Sequence, residues 1–170
     1  IPKYDVVSLS RLVNWKNIDI LIQACATLGL TLAIAGDGPE RKKLENLAKE
    51  VNGDVKFLGQ LDRQDSLTLL SESEIFVLIS EYEGLSFALI EAMMLGKKIL
   101  VSNSPGNSAV ISDFRDGLVL SEITPISVSE RLKYLKFEGA KASAMALNAS
   151  VKAREKYCES SQLRKMIKFI

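Results

Sequence analysis

The chain has 170 residues, of which 47% are hydrophobic and 25% charged, and its formal net charge is +1. This composition is typical of one globular domain with a sizeable core, and so small a charge gives no broad electrostatic reason to bind nucleic acid or an anionic membrane. The sequence contains no histidine, which excludes a Ser-His-Asp triad, a Cys-His pair, a His-ligated zinc site and a histidine base within these residues.

Short apolar runs alternate with helical periodicity along the chain, and this pattern predicts a parallel sheet covered by helices. Strands are predicted at residues 4–10, 30–36, 54–59, 74–80, 97–102 and 117–120. Helices are predicted between them at residues 17–28, 39–51, 63–71, 86–95 and 107–112. The fold class is therefore a doubly wound α/β domain of about six strands, with helices on both faces of the sheet.

Four residues mark the expected helix ends. Pro39 is predicted just inside its helix, and Gly29, Gly53 and Gly96 are predicted just past theirs. Beyond Pro125 the strand pattern stops, and two or three helices are expected. Residues 1–170 are thus predicted to form a single domain, with an α/β core at 1–124 and a helical end at 125–170.

The cysteines and the two ends of the chain indicate the cellular compartment of the protein. Cys25 and Cys158 are far apart and fit neither a disulfide framework nor a metal motif, so a reducing cytosol is the simplest setting. No apolar stretch approaches the ~20 residues needed to span a bilayer, and no signal peptide is recognised. The start at Ile1, directly before a strand, indicates a piece of something longer. The basic end, with Arg164, Lys165 and Lys168, is interpreted as a solvated helix face, with contact to a membrane surface as the alternative.

The segment from Ser80 to Gly96 places two carboxylates around a helix start. Glu83 ends a strand-turn segment, and Glu91 lies two turns inside the following helix, so the two are expected roughly 12 Å apart. The free N–H groups of the helix start favour a phosphate or a developing anion between them. The alternative is that both glutamates are merely solvated charges.

Three further segments lie at predicted strand ends. Arg11 and Lys16 follow the first strand, where two cations can neutralise a diphosphate. The turn that begins at Gly36 resembles the opening of a dinucleotide fingerprint, but Arg41 stands where the third glycine belongs, so a tight turn beside a ligand is preferred to an NAD site. Ser86 lies in a segment similar to a nucleophile elbow; without a histidine base, helix capping is the better interpretation, and a serine hydrolase the alternative.

Together these motifs resemble the nucleotide-sugar-binding half of the family-4 retaining glycosyltransferases of GT-B fold, over residues 6–120. The motifs that carry the resemblance are Ser10-Arg-Leu-X3-Lys16, the Gly36-Asp-Gly-Pro39 turn, Val55-Lys-Phe-Leu-Gly59, and Glu83-X7-Glu91 followed by Ala-Met and Gly96. The resemblance implies a Rossmann-like, C-terminal domain. It also implies an acceptor domain that precedes Ile1.

The same resemblance implies a role for each matching position. Arg11 and Lys16 would bind and stabilise the donor diphosphate, Glu83 would hold hydroxyls of the transferred sugar, and Glu91 would hold the ribose hydroxyls. Backbone groups of the helix start would meet phosphate and sugar, and two leucines would border the base. These additional residues are Gly84, Leu85, Ser86, Phe87, Ala88, Leu58 and Leu61. Such enzymes are typically independent of metal ions, and no carboxylate cluster with metal spacing is present in the sequence.

Four positions depart from the family pattern. Ser10 and Asn17 replace glycines that often flank the Arg/Lys motif, and Ser86 replaces a frequent glycine or proline. Ala109 stands where a glutamate often follows the preceding Pro-Gly turn. These changes bear on loop geometry and on the choice of donor.

The sequence therefore predicts the donor-binding domain of a cytoplasmic glycosyltransferase. As an alternative, the longer enzyme would be associated with a membrane. The domain would take part in transferring a hexose from a UDP-sugar, or next from GDP-mannose, to a glycan or lipid-linked acceptor in polysaccharide biosynthesis. The isolated domain is expected to bind the donor but to transfer little or nothing. A non-catalytic nucleotide-binding or interaction module is the alternative from another class.

Overall fold

A computed structural model describes residues 1–157 and shows a six-stranded sheet. The strands are β1 (Tyr4–Leu9), β2 (Leu32–Ala35), β3 (Val55–Gly59), β4 (Ser73–Leu78), β5 (Lys98–Ser102) and β6 (Leu118–Leu120). All neighbouring strands run parallel, in the order β3-β2-β1-β4-β5-β6. The predicted strands are confirmed, with ends that differ by up to two residues, and the order is that of a Rossmann fold.

Helices connect the strands and follow the last of them. They are α1 (Ile18–Leu28), α2 (Arg41–Glu50), α3 (Arg63–Ser71), α4 (Phe87–Met94), α5 (Pro105–Val110), α6 (Pro125–Phe137) and α7 (Gly139–Tyr157), and a 3-10 turn at Asn14–Lys16 precedes α1. The predicted helices are thus confirmed, including the two beyond residue 124. The α5 helix begins two residues earlier than predicted because Pro105 occupies its first turn after Ser104.

One of the predicted helix ends is wrong. The α2 helix begins at Arg41, so Pro39 lies in the turn before the helix and not inside it. Gly53 lies just past the end of this helix, as predicted, and the preceding Asn52, with φ 51°, takes the left-handed conformation. Asparagine tolerates this conformation because its short polar side chain can bond locally. Gly29 and Gly96 lie just past their helices, as predicted, and have φ of 64° and 65°.

The sheet separates two hydrophobic cores. Adjacent strand residues point to opposite faces, so Val6 belongs to one core and Val7 to the other. Helices α1, α2 and α6 cover the first face, and α3, α4 and α5 contribute to the second. The α7 helix reaches both cores, with Ala142 and Met145 in the first and Ala149 and Ala153 in the second. Because α6 packs on α1 and α7 packs on α4, the helical end completes both faces of the α/β core and does not form a layer of its own.

Several predictions about the termini concern residues 158–170. Cys158 and the basic residues Arg164, Lys165 and Lys168 lie outside the described part of the chain. Cys25 is buried in α1, where burial raises the pKa of its thiol. Among residues 1–157, no helix combines the length and apolar character that crossing a bilayer requires.

A charged network that the sequence did not reveal lies at the amino ends of the strands. Nζ of Lys136, at the end of α6, contacts Oδ1 of Asp5 at 2.6 Å and Oε2 of Glu74 at 2.5 Å. Lys98 contacts the other oxygen of Glu74 at 2.7 Å. The network therefore ties α6 to β1, β4 and β5.

The pH dependence of stability follows from this network. Partial burial raises the pKa values of Asp5 and Glu74, but the hydrogen bonds from Lys136, with those from Thr31 to Asp5 and from Lys98 to Glu74, leave both pKa values below normal. Carboxyl groups with depressed pKa values stabilise the fold above their unfolded pKa and lose that contribution as pH falls through the folded pKa. Stability should therefore decline below about pH 4.

We expect Lys136→Met to lower the free energy of unfolding at pH 7 by roughly 1–2 kcal/mol, between the values typical of exposed and of buried ion pairs. The difference from wild type should shrink as pH falls and the carboxylates protonate. Urea unfolding at pH 7 and pH 3.5 measures both quantities. Lys43→Met is the control because Lys43 pairs with Glu40 on the surface. Equal losses in the two variants would contradict the special role of the network.

Candidate functional site

The candidate site lies at the carboxyl edge of the sheet, where the strand order reverses between β1 and β4. The loops that follow these two strands are bonded to each other. The amide of Glu81 donates to the carbonyl of Trp15 at 3.0 Å, and the side chain of Asn17 donates to the carbonyl of Ile79 at 2.9 Å. Asn17, with φ 50°, adopts a left-handed conformation, which is also open to glycine, the residue that the sequence resemblance implies at this position. This departure from the family pattern therefore preserves the turn and adds a tie between the loops.

Lys16 and Glu83 meet across these loops. Nζ of Lys16 donates to Oε1 of Glu83, and the hydroxyl of Ser80 donates to the same oxygen at 2.8 Å. The side chains of Lys16 and Glu83 are only 16% and 14% exposed. The alternative that Glu83 is a solvated charge is therefore wrong. The structure brings together two of the predicted site residues.

Glu91 is also largely buried. Its side chain, on α4, is 10% exposed, and its Oε1 accepts a hydrogen bond from Nε of Arg63 at 3.2 Å. Burial raises the pKa of Glu91, and the Arg63 guanidinium opposes that rise. Glu91 is thus no more a solvated charge than Glu83. Within residues 1–157, no three His, Cys, Asp or Glu side chains form a group that could hold a metal ion.

The start of α4 is capped and open to solvent. The hydroxyl of Ser86 accepts a hydrogen bond from the amide of Leu89 at 3.3 Å, which confirms the predicted capping role. Gly84, Leu85 and Phe87 are exposed, and a Cβ at Gly84 would meet no atom within 4 Å. The predicted phosphate and sugar segment therefore presents backbone to open space, with Ser86 and Ala88 half-buried.

The first turn of α5 packs against the Glu83 loop. The amide of Gly106 donates to the carbonyl of Glu83 at 3.0 Å. A Cβ at Gly106 would lie 2.0 Å from the carbonyl oxygen of Gly84. Glycine is therefore required at this contact for a steric reason.

A buried polar cluster beneath the site was missed by the sequence analysis. Asn107 is fully buried, and its side-chain amide donates to Ser102 and to the carbonyl of Leu78. The hydroxyl of Ser102 donates to the carbonyl of Ser80 at 2.5 Å. This chain of bonds joins the ends of β4 and β5 below Glu83. The signal available in the sequence was a serine at the end of each of two predicted strands, Ser80 and Ser102.

The side chain of Arg11 forms no hydrogen bond or ion pair with the residues that the structure describes, and the residue is exposed. Its loop is held by the turn that begins at Gly36. The amide of Leu12 donates to the carbonyl of Asp37 at 2.9 Å, and a Cβ at Gly36 would lie 1.9 Å from the carbonyl oxygen of Ser10. The turn thus supports the loop of Arg11. Arg41, which replaces the fingerprint's third glycine, pairs with carboxylates on its own turn and helix.

The two leucines predicted to border a base lie toward the β3 edge of the sheet. Leu58, in β3, is 38% exposed, whereas Leu61 is half-buried against the second core. Leu61 precedes Arg63, the partner of Glu91, by two positions. The segment that contains Leu61 therefore leads directly to the surroundings of Glu91.

Comparison with known proteins shows which family the chain resembles. The family model described as glycosyl transferases group 1 matches residues 2–152. The GtfA subunit of the UDP-N-acetylglucosamine–peptide N-acetylglucosaminyltransferase of Limosilactobacillus reuteri is 34% identical over 126 residues, which are 69% of this chain and 24% of that protein. The chain spans about a quarter to a third of the length of the first curated relatives it matches.

Two solved structures share the fold. Anabaena Alr3699/HepE in complex with UDP and glucose has a TM-score of 0.85 at 22% identity, with 98% of this chain and 48% of that chain covered. The C-terminal domain of LpcC, a glycosyl transferase group 1 family protein of Francisella tularensis, has a TM-score of 0.79 at 19% identity, with 92% of this chain and 88% of that one covered. These likenesses confirm the Rossmann-like fold that the sequence predicted. By the match over residues 2–152, the chain belongs to the glycosyl transferases group 1 family.

Proposed function

We propose that this chain is the donor-binding, C-terminal half of a retaining, metal-independent glycosyltransferase that moves a hexose from a nucleotide diphosphate sugar. The observation that carries the proposal is the Lys16–Glu83 pair at the switch point of the sheet, beside the open start of α4. Ligands of doubly wound sheets bind at this position. The C-terminal placement is supported by the likeness to the LpcC domain, which matches nearly the whole of that chain.

The charges of the site divide naturally between the parts of such a donor. Arg11, Lys16 and the amides at the start of α4 would bind the diphosphate, because all three offer positive charge or free donors. Glu83 would accept from sugar hydroxyls, and Glu91 from the ribose. Each glutamate has one oxygen engaged by a protein donor, and its Oε2 has no hydrogen-bond partner among the described residues.

The catalytic contribution of this domain would be electrostatic. Breaking the bond between sugar and phosphate places negative charge on the departing diphosphate, and donors fixed in advance stabilise that charge. One well-placed donor of this kind is worth about 2.7–4 kcal/mol of transition-state stabilisation. Glu83 would orient the sugar, and it is not assigned as a nucleophile.

The donor base and the acceptor are the finer parts of the proposal. A UDP-sugar is supported by the names of the L. reuteri relative and of the HepE complex, with GDP-mannose as the second candidate. A glycan or lipid-linked acceptor would bind a preceding domain, since the relatives are three to four times longer than their match. The complete enzyme would work in the cytoplasm, in contact with a membrane where its acceptor is lipid-linked.

A thermal-shift panel of UDP, GDP, ADP and their nucleotide sugars, each with and without EDTA, tests the proposal. We expect one diphosphate at ~100 times its dissociation constant to add about 2.7 kcal/mol of stability. For a chain of this length the melting temperature should rise by roughly 5–10 °C, equally in EDTA. The matching nucleoside monophosphate is the control. Absence of any shift, or a shift that needs added metal, would refute the proposal. Binding that gains nothing from an attached sugar would favour the non-catalytic nucleotide-binding module.

A further inference from the structure

An arginine outside the predicted site lies against Glu91. Arg63 is the first residue of α3, and its Nε lies 3.2 Å from Oε1 of Glu91 on α4. The two residues are 28 positions apart in the chain. Their side chains differ in environment, because that of Arg63 is 42% exposed and that of Glu91 is 10% exposed. An accessible cation thus covers one oxygen of a buried carboxylate.

The other oxygen of Glu91 is in a different position. Oε2 forms no hydrogen bond with any residue that the structure describes. Oε2 is also not fully buried. Within residues 1–157, the fully buried side-chain atoms that lack a partner belong to Ser10, Ser104 and Asn107. The carboxylate is therefore fixed through Oε1 and has Oε2 free to accept from a ligand.

Glu91 must also carry its charge to accept two hydrogen bonds from neighbouring hydroxyls. Burial disfavours the ionised form and raises the pKa of Glu91, and Arg63 is the charged group that opposes this effect within residues 1–157. A protonated carboxyl would convert one acceptor into a donor. The guanidinium therefore affects both the orientation and the charge of the carboxylate.

We propose that Arg63 is a positioning residue for ribose recognition, which holds Oε1 of Glu91 so that Oε2 accepts hydrogen bonds from the ribose hydroxyls of the donor nucleotide. This inference rests on the proposed function. Arg63 acts through Glu91 and not through the diphosphate, so its removal should leave phosphate affinity largely intact. If the contact between Arg63 and Glu91 only held α3 and α4 together, removing it would change the stability of the fold and not the binding of the nucleotide.

Calorimetric binding of UDP and 2′,3′-dideoxy-UDP, which lacks both ribose hydroxyls, tests the inference, with the guanine counterparts in their place if the nucleotide panel selects guanine. Wild type should bind the ribonucleotide at least about 10-fold more tightly, the loss expected when hydrogen bonds to a charged group are removed. Arg63→Met should reduce this preference to less than about 3-fold and leave 2′,3′-dideoxy-UDP affinity within a factor of about 2. Arg63→Lys should restore part of the preference because it restores the charge.

Three further variants complete the test. Glu91→Gln should lose the ribose preference by itself, and adding Arg63→Met to it should cause no further loss, since both residues act on one contact. Arg131→Met is the matched control, because Arg131 pairs with Asp113 on another part of the domain. A preference that survives Arg63→Met unchanged would overturn the inference, as would equal weakening of both nucleotides. Failure of wild type to bind any diphosphate would instead refute the proposed function.

Discussion

Gly36→Ala is expected to destabilise the fold by about 3–5 kcal/mol, because it combines backbone strain with a steric clash. The φ of Gly36 is 131°, which side-chain-bearing residues rarely adopt, and a Cβ there would lie 1.9 Å from the carbonyl oxygen of Ser10. The neighbouring atom is backbone, so it cannot be moved by a rotamer change. The melting temperature should fall by roughly 6–20 °C for a domain of this size.

Two glycines separate these causes. Gly29 has a φ of 64° but open space around its added Cβ, so Gly29→Ala should show the strain alone, about 1 kcal/mol. Gly139 has neither constraint, and Gly139→Ala should be neutral or slightly stabilising. Thermal unfolding of the three variants measures the difference. A loss for Gly36→Ala no larger than that for Gly29→Ala would show that the turn moves away from Ser10 at little cost.

Lys16→Ala is expected to weaken binding of the donor diphosphate by about 10- to 100-fold, the equivalent of one hydrogen bond to a charged group. Two effects act together. The variant loses a cation at the proposed diphosphate site, and it leaves Glu83 without the cation that it contacts. The remaining carboxylate then repels the phosphate. The thermal shift caused by UDP should fall to a small fraction of its wild-type value.

Two control variants accompany Lys16→Ala. One changes a distant ion pair, and the other changes both members of the Lys16–Glu83 pair. Lys3→Ala removes the lysine of an exposed pair with Glu72, at the opposite end of β1, and should bind UDP as wild type does. Lys16→Ala combined with Glu83→Gln should recover part of the UDP affinity because the repulsion disappears. Sugar-dependent affinity should stay low in the double variant. An undiminished UDP shift in Lys16→Ala would place the diphosphate elsewhere.

The layout of helices and strands was predictable because it depends on neighbouring residues. Hydrophobic periodicity defined the strands, and local caps defined several helix ends. The α3 helix has the predicted bounds, Arg63–Ser71, where the side chain of Asp62 accepts from the amide of Asp65. The start predicted at Pro39 was misplaced because a separate turn, in which the amide of Arg41 donates to the carbonyl of Gly38, precedes the helix. After the same helix, Asn52 takes the left-handed position next to Gly53.

The sequence by itself determined the fold class and the helix start at Ser86, and it marked Lys16, Glu83 and Glu91 as candidate site residues. Only the tertiary structure decided which charges meet. The Lys16–Glu83 pair joins residues 67 positions apart, and the Lys136–Asp5 pair joins residues 131 apart. Such contacts depend on strand order and on which helix covers which face, and no local pattern encodes them. Arg63 had no motif to mark it, and its contact with Glu91 exists because α3 and α4 cover the same face of the sheet.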